Sequence, residues 1–426
     1  MRPDGPLGTA GLSLQQGPPL SIPLSFFATA CLGLSAAGVL VLWHGLDVLA
    51  LRYLPSTLAL VHVITLGFLA MVMIGALYQL IPVVAASALP RVRHAHLVHA
   101  LLTLGATLLI TGLHTGSRAL SGLALGLLLP ALLVFITAAG WALARSPVKS
   151  DSVRGFRASI AALGVVISLG VSLLLGRMGS IAAAQSASWL TGHAGLALLA
   201  WVGGLIAAVS WQVVPMFYLT APLPRLARRL TLWLVAVSLV GGTASSIFAG
   251  PTVVLISLLP AAVAVAILQP LLVARALWRR KRQKVGESVR FWWASIALAP
   301  LALATAAGGV IDGEPRWSVL LGWLTLIGWA AMVVHGMLSR IVPFLVWFHF
   351  FSGSSAGRLS MRELLPEAVV RRGFIVHAAT LLVGAVAIVV RSDLGARAAG
   401  LGLAATGASM LLLVATPVSR ARRALR

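Results

Sequence analysis

The sequence predicts an all-α fold: a polytopic membrane bundle of about twelve transmembrane helices in three four-helix repeats. Three observations predict it: long unbroken apolar runs, a scarcity of charge, and a short motif that recurs three times. Hydrophobic residues make up 59% of the 426 and charged residues 10%, with a mean hydropathy of +1.00. So few charges cannot keep the surface of a water-soluble chain of this length solvated. A helical crossing of the hydrocarbon takes roughly 20 apolar residues. Inside lipid the backbone must satisfy its own hydrogen bonds, which leaves helices or a closed barrel. The apolar runs are continuous and do not alternate, so helices are expected.

Twelve such runs lie near 24–46, 57–86, 95–113, 119–144, 157–176, 188–216, 230–248, 252–275, 291–310, 317–346, 372–390 and 397–417. They form a single transmembrane domain over 24–418, with repeat units at about 24–144, 157–275 and 291–417. Residues 1–23, rich in Gly, Pro and Gln, read as a disordered tail. They lack the basic start, short apolar stretch and small-residue cleavage site of a signal peptide. Residues 419–426 read as a basic tail. Ser360 to Arg372, with Pro366 inside, reads as a short amphipathic helix at the membrane surface.

The net charge of +23 does not point to nucleic acid, because the basic residues sit in short clusters between apolar runs. One set of loops carries Arg91 and Arg93; Arg145, Lys149, Arg154 and Arg157; Arg225, Arg228 and Arg229; Arg275 through Arg290; Arg358 through Arg372; and Arg420 through Arg426. The opposite set holds isolated arginines diluted by Asp47, Asp312, Glu314 and Asp393. The positive-inside rule then puts both termini in the cytoplasm, in agreement with an even number of spans. A bacterial inner membrane is the expected location and the lipid bilayer the first partner. Cys31, the one cysteine, excludes an internal disulfide and a cysteine-ligated cluster.

The recurring motif is Tyr78-Gln79-Leu80-Ile81-Pro82, Trp211-Gln212-Val213-Val214-Pro215 and Ser339-Arg340-Ile341-Val342-Pro343, in spans 2, 6 and 10. A long polar side chain stands three residues before each proline. A small residue, Gly75, Ala208 or Gly336, stands seven before. Small residues let helices approach closely in lipid, and proline ends or kinks a helix. The prolines are almost evenly spaced, and four helices fit each interval.

Ionisable groups within a membrane are costly and therefore mark candidate sites. All nine acidic residues fall in tails, loops or span ends, which leaves histidine. His44, His62, His114 and His193 lie near the outer ends of spans 1, 2, 3 and 6, and His94, His96 and His99 at the inner start of span 3. His335, His349 and His377 lie in or beside spans 10 and 11. His62 and His193 begin equivalent helices of two repeats, 20 and 22 residues before their prolines. Neutral imidazole is a good axial ligand for haem iron and for copper, and two histidines on facing helices can clamp a haem inside a bundle. His62 and His193 are thus the candidate metal ligands, with His335 and His44 as further candidate cofactor contacts and His335 with His377 as the next pair. Asp47 is a candidate to orient His44 or a ligand's second nitrogen. The competing reading is that such histidines cap helix ends or meet lipid headgroups.

These residues carry a resemblance. The run from His62-Val63-Ile64-Thr65-Leu66-Gly67 to Pro82 resembles span two of haem-copper oxidase subunit I, as do the twelve spans in three units. His193-Ala194-Gly195 through Pro215-Met216 resembles smaller members of that superfamily, and the general pattern is similar to the NnrS-like membrane proteins linked to nitric oxide metabolism. The resemblance implies a haem ligand at His62. It implies no copper site, because span 7 has no histidine and span 10 has only His335, where the oxidase pattern needs more.

The function expected is that of an oxidase-like or NnrS-like protein holding b-type haem, in respiratory electron transfer or the response to nitric oxide, with other respiratory or assembly subunits as partners. It is not expected to be a competent terminal oxidase. The alternatives are a multi-span transporter, which usually needs a midspan carboxylate, and a cofactor-free assembly subunit.

Overall fold

A computed structural model describes residues 17–181, 186–281, 286–352 and 359–426. The expected first sixteen residues of the tail, and the loop residues Arg282, Lys284 and Arg358, lie outside the described residues. The described residues are helical throughout the membrane region and contain no strand.

Twelve helical spans are long and apolar enough to cross a bilayer: Ser21–Leu49, Pro55–Val84, His94–Thr115, Arg118–Ala144, Asp151–Arg177, Ser186–Tyr218, Arg225–Phe248, Pro251–Trp278, Val289–Asp312, Pro315–Phe351, Glu367–Val390 and Asp393–Ala424. We number them spans 1 to 12. Several starts are legible locally. Ser117, Ser150 and Ser392 accept hydrogen bonds from the first-turn amides of spans 4, 5 and 12. Pro55, Pro251 and Pro315 occupy first-turn positions, where the missing N–H costs nothing.

Lipid is the solvent of the outer surface. Leu104, Leu123, Val240, Leu255, Leu382 and Leu401 are all exposed along their spans, a density of apolar side chains that water would not tolerate. Exposed Trp43 and Tyr53 lie near one end of the bundle, and Trp141, Trp233 and Trp278 near the other, as aromatic girdles do at the two interfaces. The chain is an integral membrane protein.

Spans 2, 6 and 10 form the middle of the bundle. They bury 67%, 67% and 72% of their most apolar stretch, and no other span exceeds 44%. Spans 2 and 10 pack through their middles. Spans 2 and 6 meet through His62 and His193, and spans 6 and 10 through Phe217 and Phe344. Each of the three contains a wide, π-helical stretch, Val63–Ala70, Ala197–Gly203 and Leu324–Ala330, ending twelve or thirteen residues before its proline. A fourth such stretch, Ala264–Leu268, lies in span 8.

The small residues of the motif are contact points. A Cβ on Gly75 would sit 2.5 Å from the Phe26 side chain of span 1, and one on Gly336 would sit 2.6 Å from Phe291 of span 9. In the middle unit the sizes are exchanged: Ala208 of span 6 fills the space left by Gly155 of span 5. The polar residues of the motif do not face lipid together. Gln79 is buried, Gln212 is half-buried, and Arg340 donates to Ser288 Oγ at 2.7 Å beside Glu367 at 3.8 Å.

Two boundaries differ from expectation. The segment after Ser360 is a single turn, Met361–Leu364, closed by a capping box between Ser360 and Glu363. Pro366 is not inside it but starts span 11, because a residue without an N–H is tolerated at a helix start and not within one. The last span continues as helix through the basic residues to Ala424, where arginines complement the negative end of the helix dipole.

Candidate functional site

His62 closes the first two turns of span 2, just before the π-helical stretch begins. Its Nδ1 lies 2.7 Å from the Leu58 carbonyl one turn back. His193 occupies the matching part of span 6, four residues before its own π-helical stretch. Its Nδ1 lies 2.9 Å from the Val166 carbonyl of span 5. A carbonyl only accepts, so both Nδ1 atoms carry the proton and donate. In the neutral imidazole each Nε2 is then a bare lone pair.

Neither Nε2 has a hydrogen-bond partner among the described residues. The rings are nearly parallel, 17° apart, with centroids separated by 6.4 Å. That is the size of gap that two imidazole–metal bonds span, since bonds of about 2.0–2.1 Å set the nitrogens about 4 Å apart, plus the reach to each ring centre. A metal-binding histidine ordinarily donates its other N–H to a carbonyl or carboxylate, which fixes the tautomer and aims the ring. Both histidines already have that support. The donor set fits a metal held by two neutral imidazoles.

His335 and His377 make a different pair. Both are fully buried, with ring centroids 5.4 Å apart. Their Nδ1 atoms are 3.2 Å apart, and His377 Nε2 lies 3.0 Å from the Ile327 carbonyl. The carbonyl forces the His377 proton onto Nε2. Its Nδ1 must then accept, and His335 Nδ1 must donate. His335 Nε2 is left as a buried acceptor with no partner. Gly373 packs directly on it: a Cβ there would stand 2.9 Å away. The pair is locked through hydrogen bonds and leaves no gap between its rings.

The remaining histidines are placed separately. His44 meets His114 edge-on at 5.0 Å, across the ends of spans 1 and 3. Asp47 makes no side-chain hydrogen bond or ion pair among the described residues, so backbone carbonyls orient the imidazoles where Asp47 was expected to help. His99 turns inward onto Thr29 Oγ1 at 2.8 Å and Phe26, while His94 and His96 stay exposed. No group of three or more potential metal ligands occurs among the described residues.

No family model matches the chain, and no curated protein matches it. Among solved structures, it is similar to a haem-copper terminal oxidase determined as a dimer by cryo-EM. The TM-score is 0.60 at 12% sequence identity, over 94% of this chain and 84% of that one. The fold is that of a haem-copper oxidase. At this identity the likeness is one of architecture, so what the chain can bind rests on its own residues.

Within this oxidase fold, several site residues escape sequence reasoning. Gly170 seats His193, for a Cβ there would stand 2.9 Å from the ring. The Val166 carbonyl is a backbone group and carries no sequence signal. A buried polar chain also links spans 6 and 8: Trp211 Nε1 donates to Gln269 Oε1 at 3.0 Å, and Gln269 Nε2 donates to Ser210 Oγ at 2.6 Å. The lone Gln269 within an apolar run was the available signal.

Proposed function

We propose that the chain is a haem protein of the membrane, with b-type haem held between His62 and His193, and that it transfers single electrons in respiration or in the response to nitric oxide, as an NnrS-like protein would. One observation carries the reading. Two imidazoles on central spans, with ring centroids 6.4 Å apart, have Nδ1 committed to backbone carbonyls and Nε2 without a partner among the described residues. Bound haem supplies a one-electron couple. The chain's part is to hold both imidazoles neutral and aimed, and to keep the site within apolar walls. The histidine set favours electron transfer over oxygen reduction, since Arg225–Phe248, span 7, offers no copper ligand. His44 and His335 take no part in this site.

The reading extends to the architecture and setting. Spans 1–4, 5–8 and 9–12 are three copies of one unit, supported by the shared π-helical stretch, proline and small-residue contact in spans 2, 6 and 10. Both termini face the cytoplasm of a bacterial inner membrane, on the charge distribution of the loops. Respiratory or assembly subunits in that membrane are the partners.

The test is an absorption spectrum of protein purified after expression with ample haem. A b-type reduced-minus-oxidised difference spectrum is expected, and it should vanish in His62→Ala and in His193→Ala. A wild-type protein without any haem absorbance, or one whose spectrum survives both substitutions, would overturn the proposal.

A further inference from the structure

Spans 1 and 12 touch closely along most of their length and then part. Gly38 lies against the Ala404 backbone, Gly400 against Leu42, and Gly407 against Ser35. Ser35 Oγ adds a hydrogen bond to the Ala404 carbonyl at 3.2 Å. Toward the face where span 1 begins and span 12 ends, larger side chains replace these glycines. There the two helices leave an open groove of about 490 Å³, walled by Leu24 and Ala28 on one side and Leu411, Val414, Ala415 and Val418 on the other. Ser419, Arg422, Arg423 and Arg426 rim it.

The depth of the rim follows from length. Span 12 has 32 residues, about 48 Å of helix at 1.5 Å per residue, against a hydrocarbon layer of about 30 Å. Its far end is anchored: Asp393 accepts from the Leu46 amide, and Arg397 donates to the Leu42 and Trp43 carbonyls. The surplus therefore emerges at the rim, and the arginines stand at headgroup level. None of Arg422, Arg423 and Arg426 has a hydrogen bond or ion pair among the described residues. Their neighbour Arg420, by contrast, is tied to the Glu363 carbonyl.

We infer that this groove is a binding site for an anionic phospholipid, one acyl chain lying against the span 1 and span 12 walls and the phosphate between the arginines. An apolar trough continuous with three unpaired guanidiniums matches that molecule at both ends. Guanidinium binds phosphate oxygens in paired hydrogen bonds, and a basic pocket between spans favours anionic headgroups over zwitterionic ones. Neutral or zwitterionic lipid satisfies only the trough. Free phosphate satisfies only the rim.

The test uses the full chain in nanodiscs of equal phosphatidylglycerol and phosphatidylcholine, with retained lipid counted by native mass spectrometry after gentle release. Wild type should keep phosphatidylglycerol, and the triple variant Arg422→Gln, Arg423→Gln, Arg426→Gln should lose it at least tenfold. Ala415→Trp, which fills the trough and leaves the arginines, should also lose it. The helical circular dichroism of both variants should match wild type. Equal retention of the two lipids by wild type would overturn the inference. So would phosphatidylglycerol that survives Ala415→Trp but is displaced by inorganic phosphate, which would make the rim a simple anion site. A groove that takes lipid only after residues 1–16 are removed would belong to the chain's own leading segment.

Discussion

The two histidine pairs use the same side chains for opposite ends. His335 and His377 bond to each other, His377 bonds to the Ile327 carbonyl, and the backbone at Gly373 closes on His335. His62 and His193 do not bond to each other. Each spends Nδ1 on a carbonyl and keeps Nε2 free. The first arrangement joins spans 10 and 11, and the second holds two lone pairs in readiness. On the proposed function, what separates a structural histidine from a ligand is which nitrogen the backbone takes. Burial alone would point to His335 and His377, which are the more deeply buried.

The comparison can be broken most sharply by spectroscopy. His62→Ala or His193→Ala should abolish haem absorbance, while His335→Ala should leave the haem content per correctly folded protein unchanged. Loss of haem in His335→Ala with His62→Ala unaffected would reverse the assignment of the pairs.

Stability should divide the pairs the other way. His377→Ala strips the acceptor from His335 Nδ1 and the donor from the Ile327 carbonyl, and it leaves a cavity. Together these cost about 3 kcal/mol. His62→Ala in haem-free protein removes one hydrogen bond to its own helix, about 1 kcal/mol or less. Reversible unfolding in mixed micelles of graded denaturing detergent measures both. Equal losses would mean that the 62/193 pair is also a packing element.

A crossed pair of glycine substitutions refines this. Gly170→Ala puts a methyl group 2.9 Å from the His193 ring, and Gly373→Ala puts one 2.9 Å from His335 Nε2. His193 can shift along its gap, so Gly170→Ala should weaken haem retention about tenfold with little change in stability. His335 is held from both sides, so Gly373→Ala should cost about 1–3 kcal/mol as overpacking does and leave the spectrum unchanged. Haem titration and detergent unfolding of both variants complete the cross. Two variants with the same phenotype would remove the distinction.

How much of this was legible in the sequence follows from what each feature depends on. The twelve spans are legible because lipid demands a long apolar run for each crossing. The central spans are legible because close packing at Gly75, Ala208 and Gly336 and a proline seven residues beyond each leave fixed spacings. The nearness of His62 to His193 was legible from their similar distances to those prolines, 20 and 22 residues. The choice of nitrogen was not, for the Leu58 and Val166 carbonyls are present at every residue and become partners only through helix placement. The short helix after Ser360 was misjudged because Pro366 suits a helix start as well as an amphipathic interior. The His44–His114 contact crosses two spans at their ends, where no periodicity constrains the partner.

The smallest effect is also the most discriminating, because it acts on one nitrogen. An asparagine amide can take the place of imidazole Nδ1–H and has nothing in the place of Nε2. His62→Asn should keep the hydrogen bond to the Leu58 carbonyl and hold stability within about 0.5 kcal/mol of wild type, well under the value of a lost hydrogen bond. It should nevertheless lose haem as fully as His62→Ala, because the lone pair is gone. His335→Asn should keep the donor to His377 Nδ1, with its amide oxygen replacing Nε2 as a buried acceptor. The retained hydrogen bond to His377, about 1 kcal/mol, should make His335→Asn unfold later than His335→Ala, with the wild-type spectrum kept. Haem retained in His62→Asn would show that Nε2 is not the ligand. His335→Asn no more stable than His335→Ala would show that the bond between the two histidines does not hold spans 10 and 11 together.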